Sequence, residues 1–436
     1  MKRRLLAVAI AFSLALPTLA IDRAHYRELG RKARKLAEQK DWAGFKQVLI
    51  EIGSELPDDT PRQMLTMASV EMRLGNKAEA LKWMEKYAAA GLTYDVASDD
   101  DLAALDKDPA FAPLAKQMQT NRKPIEKAEL VCTLPVVDLM PEDLTYQRSS
   151  KNFFVSSVQH HSLYRVTLPR AGSKECAAEE VPLAADAKRW PTQAVSWDER
   201  RKLIWLSTSA MPGFTGFPKE DEGKAALLAL DAKSGKVLRR VDLATDSPAV
   251  LGDMAIAKDG TLYVTDSIGG GVYRVAAGDL AQMKLEKIAD GLLSPQTPAL
   301  TADGRRLLVA DYSIGIAVVH LPPTLKKVQY LPHPKNVAVT GLDGLMLDGN
   351  TLVGVQNGVD PERIVLFSLN RAQTQITSAQ VIEQKTERLG EATHAIKAAG
   401  WDYVIANVGW DKIQDNGELK PGKQFSAPAL LRFRAR

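Results

Sequence analysis

Past residue 128 the chain repeats itself, and this repeat limits the folds open to it more than any other feature. GDMAIAKDGTLYVTDSIGGGVYRV begins at Gly252, TPALTADGRRLLVADYSIGIAVVHL at Thr297 and LDGLMLDGNTLVGVQNGVDPERIVLFSL at Leu342, about 45 residues apart. Each reads as a strand, a Gly-containing turn and two further strands. Weaker copies begin at Glu142, Thr192 and Glu391, which makes six. Short strands at this period, with no helices between them, predict four-stranded sheets arranged radially, the β-propeller solution to exposed sheet edges.

The two ends of the repeat region complement each other. AELVCTL, residues 128–134, precedes the first copy and has no blade of its own, while the last copy stops after ALLRFRAR without a fourth strand. Residues 128–134 are therefore predicted to form the outermost strand of the last blade. That places Cys132 on the outer edge of blade 6 and Cys176 on the outer strand of blade 1, close enough for a bridge if their Cα atoms fall within reach. With no CxxC or metal-ligand spacing, the alternatives are a disulfide, two inert thiols or a reactive thiol.

Residues 21–121 have helical periodicity and are rich in Ala, Leu, Lys and Glu. MLTMASVEMRLGNKAEALKWMEKYAAAGL, starting at Met64, resembles a tetratricopeptide repeat. Ala68, Gly75, Ala78, Ala80 and Ala90 are its expected small packing positions, and Gly75-Asn76 its turn. A diverged copy spans 24–53 and a half-repeat spans 96–118. The segment 122–127 is read as a linker. The expected organisation is thus multidomain: a signal peptide at 1–20, an α-helical repeat-like N-terminal domain and an all-β six-bladed β-propeller at 128–436.

Lys2, Arg3 and Arg4 ahead of an apolar run ending in small residues mark the signal peptide, with cleavage expected after Ala20. This implies a periplasmic or secreted protein with no membrane insertion after cleavage. The full chain has a formal charge of +4, and losing three cations leaves 4 − 3 = +1 on the mature chain. That balance argues against nucleic acid as a partner. GxSxG, HExxH and phosphate-loop motifs are absent.

In a propeller the innermost strands start at one face of the channel, so their first residues converge. Here those residues are Glu142, Gln193, Asp253, Gln296, Asp343 and Glu391. Carboxylates crowded into one space repel unless a cation offsets them, and hard divalent ions take oxygen ligands. The alternative is that these side chains cap turns. His394 lies beside Glu391. Long insertions carry Phe214, Phe217 and Trp410, which are expected either to line a ligand pocket over the channel or to pack down as lids.

PEDLTYQRSSKNFFVSSVQHHSLYRV and GLDGLML resemble the family of senescence marker protein, gluconolactonase and luciferin-regenerating enzyme, six-bladed propellers with divalent-metal-dependent lactonase or esterase activity. The resemblance implies calcium or magnesium held by Glu142, Gln296 and Asp343, with Asp343 as general base. Where the family has Pro-Asn-Gly, this chain has Pro295-Gln296-Thr297, one methylene longer. The expectation is therefore a propeller that binds a small molecule or a protein or peptide partner at the channel mouth, through Gln193, Asp253, Glu391, His394 and Trp410. The helical part would add a second interaction surface, and a metal-dependent lactonase is the alternative.

Overall fold

The computed structural model describes residues 21–170, 172–185, 187–321 and 328–435. Residues 1–20, read as a signal peptide, lie outside them. No helix among the described residues is long and apolar enough to cross a membrane.

The helical part opens with α1 (Arg23–Glu38) and α2 (Trp42–Glu55), followed by α3 (Pro61–Arg73) and α4 (Lys77–Ala89). Three of these four starts are capped by a side chain. The side chains of Asp22, Asp41 and Thr60 accept hydrogen bonds from backbone N–H groups in the first turns, and Pro61 occupies a first-turn position that needs no donor. Between α3 and α4 the chain reverses at Gly75, where φ is +78°. Ala68, Ala80 and Ala90 are buried as small packing positions. Ala78 is exposed, a difference from the sequence reading, because it lies on the outward side of α4. Two short helices, α5 (Ala103–Asp106) and α6 (Ala112–Asn121), deliver Leu105 and Met118 to the same cluster as Met84 and Tyr87.

Six sheets follow, one for each sequence copy. Their innermost strands are Leu144–Gln147, Thr192–Asp198, Leu251–Ile256, Pro295–Leu300, Leu342–Asp348 and Ala392–Ala398. The last sheet is completed by Glu129–Thr133, which runs antiparallel to Ala429–Phe433. Cys132 and Cys176 form a disulfide across the junction of blades 6 and 1, with Cα atoms 5.5 Å apart. The segment read as a linker is partly built into a blade: Ile125–Glu126 adds a fifth strand to blade 5, pairing with Ile376–Gln384.

Five of the six innermost strands carry a register shift at their first residues. These shifts fall between Thr192 and Val195, Leu251 and Met254, Pro295 and Pro298, Leu342 and Gly344, and Ala392 and Ala395. A bulge breaks strict alternation and re-aims side chains. Gln193, Asp253, Gln296, Thr297, Asp343, Thr393 and His394 are all bulge residues. Gly344 belongs to the same construction. A Cβ there would lie 2.4 Å from the Thr393 carbonyl oxygen, so the Asp-Gly pair of GLDGLML serves close approach of neighbouring inner strands.

The helices pack on the face where the inner strands begin. Arg23 donates to the carbonyls of Ile268 and Gly269 in blade 3, Thr93 N–H donates to the Asp360 carbonyl (2.8 Å), and Arg363 donates to the Gly91 carbonyl (3.0 Å). Residues 268–269 and 360 lie in turns between the second and third strands of their blades, on that same face. On the other side of the mouth, the insertions of blades 2 and 6 meet. Phe214 and Trp410 have ring centroids 6.1 Å apart, and both pack on a cluster with Met140, Met211 and Ile413.

Candidate functional site: an acidic channel mouth above a buried ion triad

At the channel centre His394 sits between two carboxylates. Its Nε2 lies 3.2 Å from Asp143 Oδ1 and its Nδ1 lies 3.3 Å from Asp253 Oδ2. The Thr297 hydroxyl contacts Asp253, the Asp343 carbonyl oxygen (2.7 Å) and His394 Nδ1 (3.4 Å). Asp143 also accepts from the backbone N–H groups of Leu144 (2.6 Å) and Val195 (2.8 Å). All four side chains are buried. Blades 1, 3, 4 and 6 are thereby tied at the axis.

Burial alone would push the imidazole down, but the neighbouring carboxylates of Asp143 and Asp253 overturn this and hold it at about 9. His394 is thus an imidazolium at neutral pH. Asp143, His394 and Asp253 could be taken for a metal cluster, since one donor atom of each falls within 4.8 Å of the others. The two ring nitrogens point at different carboxylates, however, so the imidazolium itself supplies the positive charge there.

Above this triad lies an acidic ring. Glu142, Asp343 and Glu391 are half-buried. Burial, and then the charges of Asp343 and Asp253, raise Glu142 well above the usual carboxylate range. Asp343 reaches about 7 through burial and the charge of Asp253, and Glu391 reaches about 7 chiefly through burial. Glu362 also reaches about 7, through burial and the charge of Glu391. Tyr312 is raised by burial and by the same acids. Fixed donors orient the ring. Trp410 Nε1 donates to Glu142 Oε2 (2.5 Å), Asn357 Nδ2 to Asp343 Oδ2 (2.7 Å) and the Asp411 N–H to Glu391 Oε2 (2.8 Å). The Oδ1 of Asn357 is buried and has no hydrogen-bond partner among the described residues.

Of the residues expected at the mouth, Glu142, Asp343 and Glu391 converge there, while Asp253 and His394 are drawn into the buried triad, and the two amides bond to neighbours. Gln193 turns to Met211 Sδ (3.5 Å), and Gln296 Nε2 donates to Ser294 Oγ (3.2 Å). Asp143, Thr297, Tyr312, Asn357 and Glu362 were not anticipated. Only Asp143, directly after Glu142 in the sequence, carried a visible hint. Strand alternation would send it away from the channel.

Fold and site together define a six-bladed β-propeller with a helical N-terminal part and an acid-lined channel. No known family's sequence profile matches the chain, and no characterised protein matches it in sequence. Several solved structures share the architecture. A calcium-binding regucalcin from Agrobacterium tumefaciens is 13% identical, covering 70% of this chain and 93% of its own, with a TM-score of 0.47. A putative oxidoreductase (glucose dehydrogenase) from Thermus thermophilus is 14% identical, covering 70% and 99%, with a TM-score of 0.46. A luciferin-regenerating enzyme is 13% identical, covering 71% and 95%, with a TM-score of 0.45.

Proposed function

We propose that the channel mouth is a ligand site for a small species with a hard cationic centre, of which a divalent ion, calcium or magnesium, is the simplest. The supporting observation is the acidic ring, whose members are driven toward protonation by burial and by one another. A cation removes that penalty without protons. Glu142 and Asp343 would hold it, with the orphaned Asn357 Oδ1 as a neutral oxygen donor in place of Gln296. These donors are all oxygen, which suits a hard ion.

Thermal unfolding with increasing calcium or magnesium at pH 8 tests this. The wild type should show a saturable rise in melting temperature, because only the folded chain presents the site. Glu142→Gln and Asp343→Asn should lose it. No rise, or the same rise in both variants, would defeat the reading.

A second reading, a metal-dependent lactonase or esterase, is favoured by one observation. Asp343 at about 7 suits a general base at neutral pH. A bound ion would supply carbonyl polarisation. Turnover of simple lactones or aryl esters that requires the added cation and vanishes in Asp343→Asn would establish it. Absence of turnover in the cation-loaded wild type would remove it.

We propose in addition that the chain is exported, to the periplasm or beyond. The disulfide supports this, since such bonds persist in oxidising compartments. Mass analysis of the natively produced protein should find Ile21 as the first residue. An intact Met1 terminus in the cytosol would refute export. The helices flank the mouth on blades 3 to 5, which supports a part for them in framing that opening to a small-molecule, protein or peptide partner.

A further inference from the structure

The channel has a second mouth, on the face where the inner strands end. Tyr146 and Trp197 lie at the ends of the inner strands of blades 1 and 2, and Lys397 near the end of that of blade 6. With Arg148 and Glu199 they line a cavity of about 460 Å³, within the range of small-ligand pockets, roughly 300 to 1,000 Å³. We propose that this far mouth is a separate binding site for a small ring compound bearing a carboxylate.

The two aromatic rings are held in place before any ligand arrives. Tyr146 packs on Phe153 with ring centroids 4.9 Å apart. The Trp197 indole N–H donates to Glu199 Oε2 (2.5 Å), and its backbone N–H donates to Thr145 Oγ1 (3.0 Å). Preset rings offer flat area at little entropic cost.

The charges around them are unevenly committed. The Glu199 carboxylate is engaged by Lys202 (2.7 Å) and by the indole. Its charge is therefore partly spent locally. Lys397 pairs with Asp348. Arg148 is exposed; its charge helps hold Glu199 low through space, but its guanidinium fork makes no close ion pair or hydrogen bond among the described residues and can take a carboxylate. A planar anion-binding fork beside two apolar faces matches a ring with one carboxylate, either a sugar acid stacked by its C–H face or an aromatic acid. The near mouth, ringed by carboxylates, would repel the same compound.

The test uses the full mature protein with glucuronate and benzoate as probes. Each is titrated by calorimetry and followed by tryptophan fluorescence, with glucose and benzyl alcohol as uncharged controls. Saturable binding of glucuronate alone would identify a sugar-acid site, and of benzoate alone an aromatic-acid site. Either supports the proposal if the matching uncharged compound binds at least tenfold more weakly. Arg148→Ala, a change at an exposed position, should weaken binding tenfold or more without lowering the melting temperature. Trp197→Phe should abolish the fluorescence response while keeping a calorimetric signal. Absence of saturation with both acids, equal binding of the uncharged controls, or unchanged affinity in Arg148→Ala would overturn it. Glu142→Gln should leave this binding intact, which separates it from the near-mouth reading.

Discussion

Replacing His394 with alanine is expected to cost roughly 3 to 5 kcal/mol of folding stability at pH 7, the scale for removing one partner of a buried ion pair. The loss comes less from the missing contacts than from what remains. Asp143 and Asp253 would face each other at the axis with no positive charge between them. His394→Gln, which keeps some hydrogen bonding without the charge, should fall between the wild type and alanine.

The pH dependence has a definite sign. The imidazole rises from 6.5 to about 9 on folding. Its stabilisation is therefore complete below about 6.5 and lost as pH climbs through about 9. Asp143, Asp343, Glu362 and Glu391 all rise to about 7. They bind protons more tightly in the folded chain, so stability also falls as pH rises from about 4 to 7. Both trends point the same way. Cation-free protein should be most stable in mild acid. The part of the decline between about 6.5 and 9 should disappear in His394→Ala. Denaturant unfolding at pH 5, 7 and 9 measures both. A wild type that gains stability toward pH 9 would contradict the ion triad.

The second large effect concerns the Cys132–Cys176 bond, which closes a loop with a sequence separation of 44. On the chain-entropy estimate such a loop contributes about 4 kcal/mol. Replacing both cysteines with alanine should lower the unfolding midpoint in denaturant by a corresponding amount. In the wild type, a reducing agent should do the same, but should have no effect on the double variant. An unchanged midpoint would show that strand pairing alone holds the junction of blades 6 and 1.

The fold was open to reading because each of its parts has a local signal. Helical periodicity marks 21–121, six strand-turn-strand copies mark the blades, and the unpaired strands at the two ends of the repeat region match each other. The site was only half open. Asp253, Thr297, Asp343 and His394 sit on bulges, where the alternation used to assign side chains to a face fails. Polar residues at strand starts marked Glu142, Asp253, Asp343 and Glu391. The same rule drew in Gln193 and Gln296, whose amides bond to Met211 and Ser294. It passed over Thr297, on the bulge of blade 4, and Asp143, which lies just before the first residue of its strand. Asn357 and Glu362 come from a turn at the far end of their hairpin, where no periodicity applies. Ile125–Glu126 escaped notice because two residues are too few to carry a pattern.

The strand Glu129–Thr133 has a further consequence for how the protein is made. Its partner lies at the opposite end of the propeller: Glu129 and Arg432, joined at 2.8 Å, are 303 residues apart in the sequence. Contacts of such separation pay the largest loop-closure cost and slow folding. A growing chain releases its N-terminal side first. Glu129–Thr133 therefore emerges early and waits, unpaired, until Ala429–Phe433 is available. During that interval blades 6 and 1 both lack their neighbour, and an open strand edge is available to any other chain. The hazard of misassembly therefore lasts for as long as the intervening blades take to form, and it ends only when Ala429–Phe433 pairs with the waiting strand.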